Sequence, residues 1–325
     1  MGTIILGTGA CVPEKELTNF DLEKIVDTSD TWIRTRTGIE SRRIAGAGEH
    51  ACHLAAAAAI DALDMAGVRP DELDLIVVGT ISSHMMMPSS ACFVQNGIGA
   101  VNAFAYDINA ACCGFLYGLD IGDKHIRADK KSKVLVIGAE TLSSRVNWQD
   151  RNTCILFGDG AGAVVLGHTG NEERAILGVN HFSDGSLWEL LYMHNAPSTN
   201  PDLAVTNNPG SHIVMEGREV FKHAVKAMED SIHGLLKKTG IPIDAVDLLI
   251  PHQANARILN KLVERIGIPL EKVVRNVHRY GNTSAASIPI ALDETNRAGR
   301  MKEGDVVLFC SFGAGLTWGA TLLRW

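Results

Sequence analysis

The 325-residue chain has no run of 18 apolar residues, no basic stretch ahead of its apolar start, MGTIILGTG, and no CxxC pair. The first two absences leave neither a membrane span nor an export signal to read, so the expected setting is cytoplasmic, with no membrane contact. Leu6 stands where a myristoylation signal needs Ser or Thr. Without paired cysteines a structural zinc site has no ligand pattern, so no metal is expected, and His50, Cys52 and His53 read as an ordinary helix face. The seven cysteines, at 11, 52, 92, 112, 113, 154 and 310, are odd in number and scattered, which fits free thiols in a reducing compartment. Charge is also sparse, at 21% of residues, and its net value of −7 excludes nucleic-acid binding by bulk attraction. Two glycine-rich segments fall short of nucleotide motifs. GTGA after the first strand lacks the third glycine of a dinucleotide fingerprint, and GDGAGA, residues 158–163, lacks the Lys-Ser/Thr ending of a phosphate loop.

What is present is a hydrophobic content of 46%, enough for a substantial core in one large or two small domains. An internal echo organises it. GVRPDELDLIVV, residues 67–78, returns as GIPIDAVDLLIP, residues 240–251, at an offset of 173, and KVLVIGAE from Lys133 is answered by DVVLFCSF from Asp305 at an offset of 172. Residues 67–78 and 240–251 both follow a helical pattern, roughly 51–66 and 220–238, and both lead through a glycine stop into a short apolar strand. Continuous apolar strands alternating with helices predict an α/β fold with mainly parallel sheets in two similar halves, 1–170 and 171–325. Residues 182–212, with three prolines and several Asn and Ser, read as a long irregular excursion of the kind that covers active sites.

Three residues are candidates for chemistry. Cys112, in AACCGFLYGL, follows the apolar segment NAFAYDI and precedes apolar residues at helical spacing, so strand, thiol and helix is the inferred order. A thiol at a helix N-terminus meets unpaired N–H groups and the positive end of the dipole, which lower its pKa; the alternative is a small buried Cys among alanines. His252 follows the strand VDLLI through Pro251, which puts it at a strand's carboxyl end, where open α/β sheets bind ligands; a satisfied core or surface His is the alternative. Asn282, in RYGNTSAAS, enters a small-residue helix through a glycine turn and reads equally as an N-cap. The order Cys, His, Asn also matches papain-like proteases, but a CGSCW-type context and an exported, disulfide-bearing chain are missing.

The segments GTGACVP, SDTWIRTRTGIESRRIA, AACCGF, FGDGAGAVVL, MEGREVFK, PHQAN, GNTSAAS and SFGAGLTWGA, spread over nearly the whole chain, resemble the β-ketoacyl-acyl carrier protein synthase III family of the thiolase-like superfamily. These are the initiating condensing enzymes of bacterial type II fatty acid synthesis. The resemblance implies a thiolase-like α-β-α-β-α layering and a homodimer. It implies decarboxylative condensation of an acyl-CoA primer, acetyl-CoA above all, with malonyl-acyl carrier protein, CoA being a substrate and no cofactor being used. A condensing enzyme of polyketide or other specialised biosynthesis would retain the same three residues.

By the same resemblance Cys112 takes the acyl group, Cys113 packs, and His252 with Asn282 binds the malonyl thioester oxygen. The backbone N–H groups of Cys112 and Ala314 form a second oxyanion site, Ala314 standing where the family usually has glycine. Trp32 and Arg151 correspond to the pair that sandwiches the CoA adenine, while Arg36, Gly217, Phe221 and Asn255 line the CoA and pantetheine channel, Asn255 through amide hydrogen bonds. Met87 corresponds to a residue that reaches the partner subunit's acyl pocket, and methionine where acetyl-selective members have Phe implies tolerance of longer or branched primers. Spacing adds one feature: Arg257, Lys261 and Arg265 recur every four residues opposite Ile258, Leu259, Leu262 and Val263, a basic face that Lys222 extends and that suits an acidic carrier protein.

Overall fold

The structure, a computed structural model, describes residues 2–171, 174–195 and 210–325. In the first half the chain forms β1 (Gly2–Cys11), β2 (Glu16–Thr18), α1 (Asn19–Leu22), α2 (Asp30–Thr37), β3 (Ser41–Arg43), α3 (Ala51–Ala66), β4 (Leu75–Gly79), α4 (Ser90–Ile98), β5 (Phe104–Ile108), α5 (Gly114–Ala128), β6 (Val134–Thr141) and β7 (Asp159–Thr169). The second half continues with β8 (Ile176–Ser183), β9 (Leu191–Met193), β10 (Ile213–Met215), α6 (Gly217–Thr239), β11 (Leu248–Pro251), α7 (Ala256–Ile266), α8 (Val277–Tyr280), α9 (Ser287–Arg297), β12 (Val306–Gly313) and β13 (Thr317–Arg324).

The repeated sequences form repeated structures. α3 stops at Gly67 and α6 at Gly240, both left-handed, and each leads through a short 3-10 turn into a fully buried strand, β4 or β11. The sheet orders correspond: β1-β7-β6-β4 in the first half, with β5 added at its edge, and β8-β13-β12-β11 in the second. Both sheets are mixed, which corrects the expectation of mainly parallel pairing. Strands joined by helical crossovers, β4 with β5 and β6 and β11 with β12, are parallel, whereas β1, β7, β8 and β13 pair antiparallel because short or sheet-edge returns reverse the chain.

Three apolar cores define the expected five layers. Alanines of α3 and residues of α4 cover the outer face of the first sheet. Phe115, Leu116 and Leu119 of α5 and Ile288 and Leu292 of α9 fill the space between the sheets. α6 and α7 cover the second sheet's outer face. The alanine face of α3 lets backbone approach backbone: a Cβ on Gly7 or Gly9 of β1 would lie 2.4 Å from the Ala62 oxygen or 2.3 Å from the Ala58 oxygen. The stretch 182–212 is less irregular than expected at its ends, since β9 and β10 pair as an antiparallel ribbon beside a 3-10 segment at Gly185–Leu190. Its residues 196–209 lie outside the described residues.

A Cβ on Gly138 of β6 would stand 2.1 Å from the Ala285 oxygen, whereas on the exposed Gly97 of α4 it would meet nothing nearer than 3.8 Å. Gly138→Ala is therefore expected to lower the melting temperature sharply or prevent folding. Gly97→Ala should raise stability by about 0.5–1 kcal/mol, as for alanine replacing glycine in an exposed helix. Thermal unfolding of the two variants side by side checks both signs.

Candidate active site

The strand ends and turns of the two halves open onto one cavity of about 1190 Å³, with Cys112, His252, Asn282 and Ala314 among the residues lining it. The geometry has an internal logic. The offset of 173 that relates the repeats also relates Gly79 to His252, Asn109 to Asn282, Ala111 to Ser284, Cys112 to Ala285 and Gly114 to Ser287. The residues before each nucleophile-type turn match in conformation, Ala111 at φ 45° and Ser284 at φ 47°, the only non-glycine residues with positive φ among those described. Such left-handed residues cost roughly 1–3 kcal/mol each and persist only where packing over-determines them.

Cys112 sits in the 3-10 turn Ala111–Cys113 that runs directly into α5, so strand, thiol and helix follow in the expected order. The turn is tied to the second half by the Ser311 hydroxyl, which donates to the Cys112 carbonyl at 2.8 Å, and by the Thr317 hydroxyl, 3.1 Å from the carbonyls of Ala110 and Ala314. The electrostatics correct the sequence expectation. Burial pushes the Cys112 thiol up to about 12, helped by the nearby charges of Cys113 and Glu140 and opposed by the Ser284 hydroxyl and a backbone N–H. Desolvation of the thiolate outweighs the helix end, so Cys112 rests as a thiol. Cys113 is fully buried, and all seven cysteines are free.

His252, buried at the end of β11, has its Nδ1 2.7 Å from the Ser287 hydroxyl, and burial pushes its pKa down to about 3. The imidazole is neutral. Gln253 locks the loop beneath it, donating to the carbonyls of Pro251 and Val274 and accepting from the N–H groups of Asn276 and Val277. The amide oxygen of Asn282 accepts from Ser284 N–H at 2.8 Å, an Asx turn that leaves its NH₂ end for the cavity. The N-cap position of the 284–286 turn falls to Thr283, and Asn282 precedes it. Ala314 adopts an ordinary negative φ, because Gly315 beside it takes the unusual conformation at φ 134°.

Farther out, Trp32, Arg36, Gly217, Phe221, Lys222, Asn255 and Arg257 line the same cavity. The guanidinium groups of Arg36 and Arg151 lie 5.1 and 5.2 Å from the Trp32 ring centroid. A flat ring stacked between Trp32 and Arg151 needs about 7 Å, two contacts of ~3.5 Å, so Arg151 must move outward to admit one. The Asn255 oxygen caps α7 through Arg257 N–H at 2.8 Å and its NH₂ donates to the Arg36 carbonyl at 3.2 Å, so one N–H and one lone pair of the amide remain for a ligand. The basic face is largely compensated, which the spacing of its cations did not reveal. Lys222 pairs with Glu219, Lys261 with Glu264 and Arg265 with Glu229, while Arg257, resting over the Phe221 ring, has no ion pair among the described residues. Met87 is 84% exposed, away from this cavity.

Sequence reading missed Ser284, Ser287 and Glu140, which surround the three candidates. The first two were within reach, since the offset of 173 maps them onto the Cys112 turn. Among the described residues no group of three or more His, Cys, Asp or Glu side chains converges as a metal site, and no helix is long and apolar enough to cross a membrane.

The family model described as 3-oxoacyl-[acyl-carrier-protein (ACP)] synthase III matches residues 106–185, and that of the C-terminal part of the same synthase matches residues 236–325. The curated β-ketoacyl-[acyl-carrier-protein] synthase III of Desulfotalea psychrophila is 57% identical over 325 residues, covering 100% of both chains. The crystal structure of 3-oxoacyl-[acyl-carrier-protein] synthase III from Aquifex aeolicus VF5 is similar with a TM-score of 0.93 at 51% identity, again over 100% of both chains. The crystal structure of the priming β-ketosynthase from the R1128 polyketide biosynthetic pathway has a TM-score of 0.92 at 35% identity, over 99% of this chain and 96% of that one. With two family models spanning more than half of the chain and identity above one half along its full length, this chain belongs to the 3-oxoacyl-[acyl-carrier-protein] synthase III family.

Proposed function

We propose that the chain catalyses the decarboxylative condensation of an acyl-CoA primer with malonyl-acyl carrier protein, the step that initiates fatty acid synthesis. The observation that carries this reading is the meeting of Cys112 from one half with His252 and Asn282 from the other in one cavity. The sulfur of Cys112 attacks the primer thioester, the backbone N–H groups of Cys112 and Ala314 hold the oxyanion, and CoA leaves. One thioester replaces another, so the acyl group stays activated. When the malonyl thioester loses carbon dioxide, the electron pair of the broken C–C bond enters an enolate whose oxygen lies against His252 and Asn282. The enolate carbon then attacks the acyl-Cys carbonyl, and the C–S bond breaks to release the 3-oxoacyl product.

Two neutral donors suit this enolate. The Ser287 hydroxyl accepts from Gln253 N–H at 3.3 Å and can donate to Nδ1 of His252, which leaves the imidazole proton on Nε2 for the substrate oxygen. We read the enzyme as a cytoplasmic homodimer of two-half subunits, 1–170 and 171–325, that uses neither metal nor redox cofactor. Exposed apolar residues support self-association: Met86, Met87, Val101 and Phe104 are between 55% and 84% exposed close to β5, the open edge of the first sheet. A priming role in a polyketide pathway is the second reading, favoured by the 35% identity to the R1128 enzyme, which is below the 57% identity to the β-ketoacyl-[acyl-carrier-protein] synthase III of Desulfotalea psychrophila.

Mixing the enzyme with acetyl-CoA should add one acetyl group to Cys112 by intact mass, and Cys112→Ala should add none. His252→Ala and Asn282→Ala should still acylate but each lose about 10²–10³ in carbon dioxide release from malonyl-carrier protein, the magnitude of a lost oxyanion donor. Arg257→Glu should raise the KM for malonyl-carrier protein several-fold and weaken its salt dependence, whereas Lys261→Glu, whose cation is already paired, should have a smaller effect; equal effects would return the docking role to the whole stripe. Across a primer series, longer or branched acyl-CoAs should be accepted beside acetyl-CoA, and activity confined to acetyl-CoA would contradict the role assigned to Met87.

A further inference from the structure

One buried acid behind the nucleophile has no part in the chemistry above. Glu140 of β6 is fully buried, and its Oε2 accepts from the Ser82 hydroxyl, from Ile81 N–H at 3.2 Å and from the Thr80 hydroxyl at 3.3 Å. Its Oε1 has no partner, and neither has the buried hydroxyl of Ser284, the cavity-lining residue held at φ 47°. The two belong to elements packed directly on each other, β6 and the 284–286 turn, beside the turn that carries Cys112. Ser284 lines the cavity with Cys112, and its hydroxyl eases the ionisation of both the Glu140 carboxyl and the thiol, with no ordinary hydrogen bond to either in the resting structure. Buried polar atoms left without partners are costly and uncommon, and two of them beside a nucleophile point to a transferable proton.

The surroundings leave Glu140 able to change charge. α3, α5 and α9 turn apolar side chains towards the sheet that holds β6. Asp159 of β7 is occupied by Ala45 N–H and Ser143, and Cys112 is the titratable group on the turn facing it. Among the described residues Glu140 has no ion-pair partner, its contacts being with Ser82, Ile81 and Thr80, and burial pushes its pKa up to about 7. His252, pushed down to about 3, is much the weaker base, and its protonation would bury an unpaired cation.

We propose that Glu140, acting through the Ser284 hydroxyl, stores the Cys112 proton between the two half-reactions. The inference rests on the thioester chemistry proposed above. As sulfur attacks the primer, the thiol proton passes to Ser284 while the Ser284 proton passes to the Glu140 carboxylate. The S–C bond to Cys112 forms, the S–C bond to CoA breaks, and the CoA thiolate takes a proton from solvent as it leaves. During condensation the thiolate released from the acyl group recovers its proton from Glu140 by the reverse path. The cycle consumes one solvent proton, as the overall reaction requires. Glu140 touches no substrate atom and is a positioning and proton-holding residue.

The test is single-turnover acetylation of Cys112 by acetyl-CoA, followed by intact mass across the pH range around neutrality, in the full chain and in Glu140→Gln and Ser284→Ala. Glutamine keeps an acceptor for Ser82, Ile81 and Thr80, and alanine already adopts this backbone conformation at Ala111. In the unmodified enzyme the rate should rise with pH through about 7, where Glu140 becomes the carboxylate. Both variants should lose that rise and acylate about tenfold or more slowly above it, with an unchanged KM for acetyl-CoA. Acylation with the original pH profile in either variant would overturn the relay alone, as would a uniform loss at every pH accompanied by a lowered melting temperature. Failure of the unmodified enzyme to acquire an acetyl group would instead overturn the thioester reading, and the relay with it.

Discussion

Backbone packed directly on backbone beneath the cavity is the constraint on which this site depends. A Cβ on Gly79 would lie 2.7 Å from the Gly114 backbone, one on Gly138 would strike the Ala285 carbonyl, and one on Gly313 would lie 2.7 Å from the Cys112 nitrogen. These three contacts clamp the strand ends β4, β6 and β12 against the turns 111–113 and 284–286, so the nucleophile and Asn282 are held by main chain rather than by adjustable side chains. The left-handed residues Ala111 and Ser284 are retained by the same clamp. Preorganised donors of this kind need no rearrangement as charge develops, which is where their catalytic value lies.

The burial that keeps the proposed donor His252 neutral also holds the Cys112 proton in place. Burial alone drives His252 to neutrality and raises the Cys112 thiol, so one environment suits the enolate step and resists thiolate formation. In the mechanism proposed above the conflict is met because sulfur loses its proton as it attacks, with no thiolate standing at rest.

Duplication explains how two half-sites share one cavity without crowding. Where one half carries a functional side chain, its equivalent carries a small one: His252 against Gly79, Cys112 against Ala285, Ser287 against Gly114. The small partner provides the close approach and the large partner the chemistry. Only the asparagine of each turn, Asn109 and Asn282, is kept in both copies, and both line the cavity.

The α/β class, the two-fold plan and the strand-thiol-helix order were legible in the sequence, because hydrophobic period, glycine stops and repeat register are local properties that survive without coordinates. Neighbour-dependent quantities were not legible. The antiparallel outer strands follow from which edges meet. One bond from each end of the Asn255 amide goes to Arg257 and Arg36, and three of the four cations on the basic face are met by glutamates, two three residues away and one, Glu229, brought in from α6. The thiol illustrates the division most clearly. Sequence alone determined that Cys112 begins a helix, a matter of residues 110–119, but its protonation depended on how much water the other half of the chain removes, and only tertiary structure decides that.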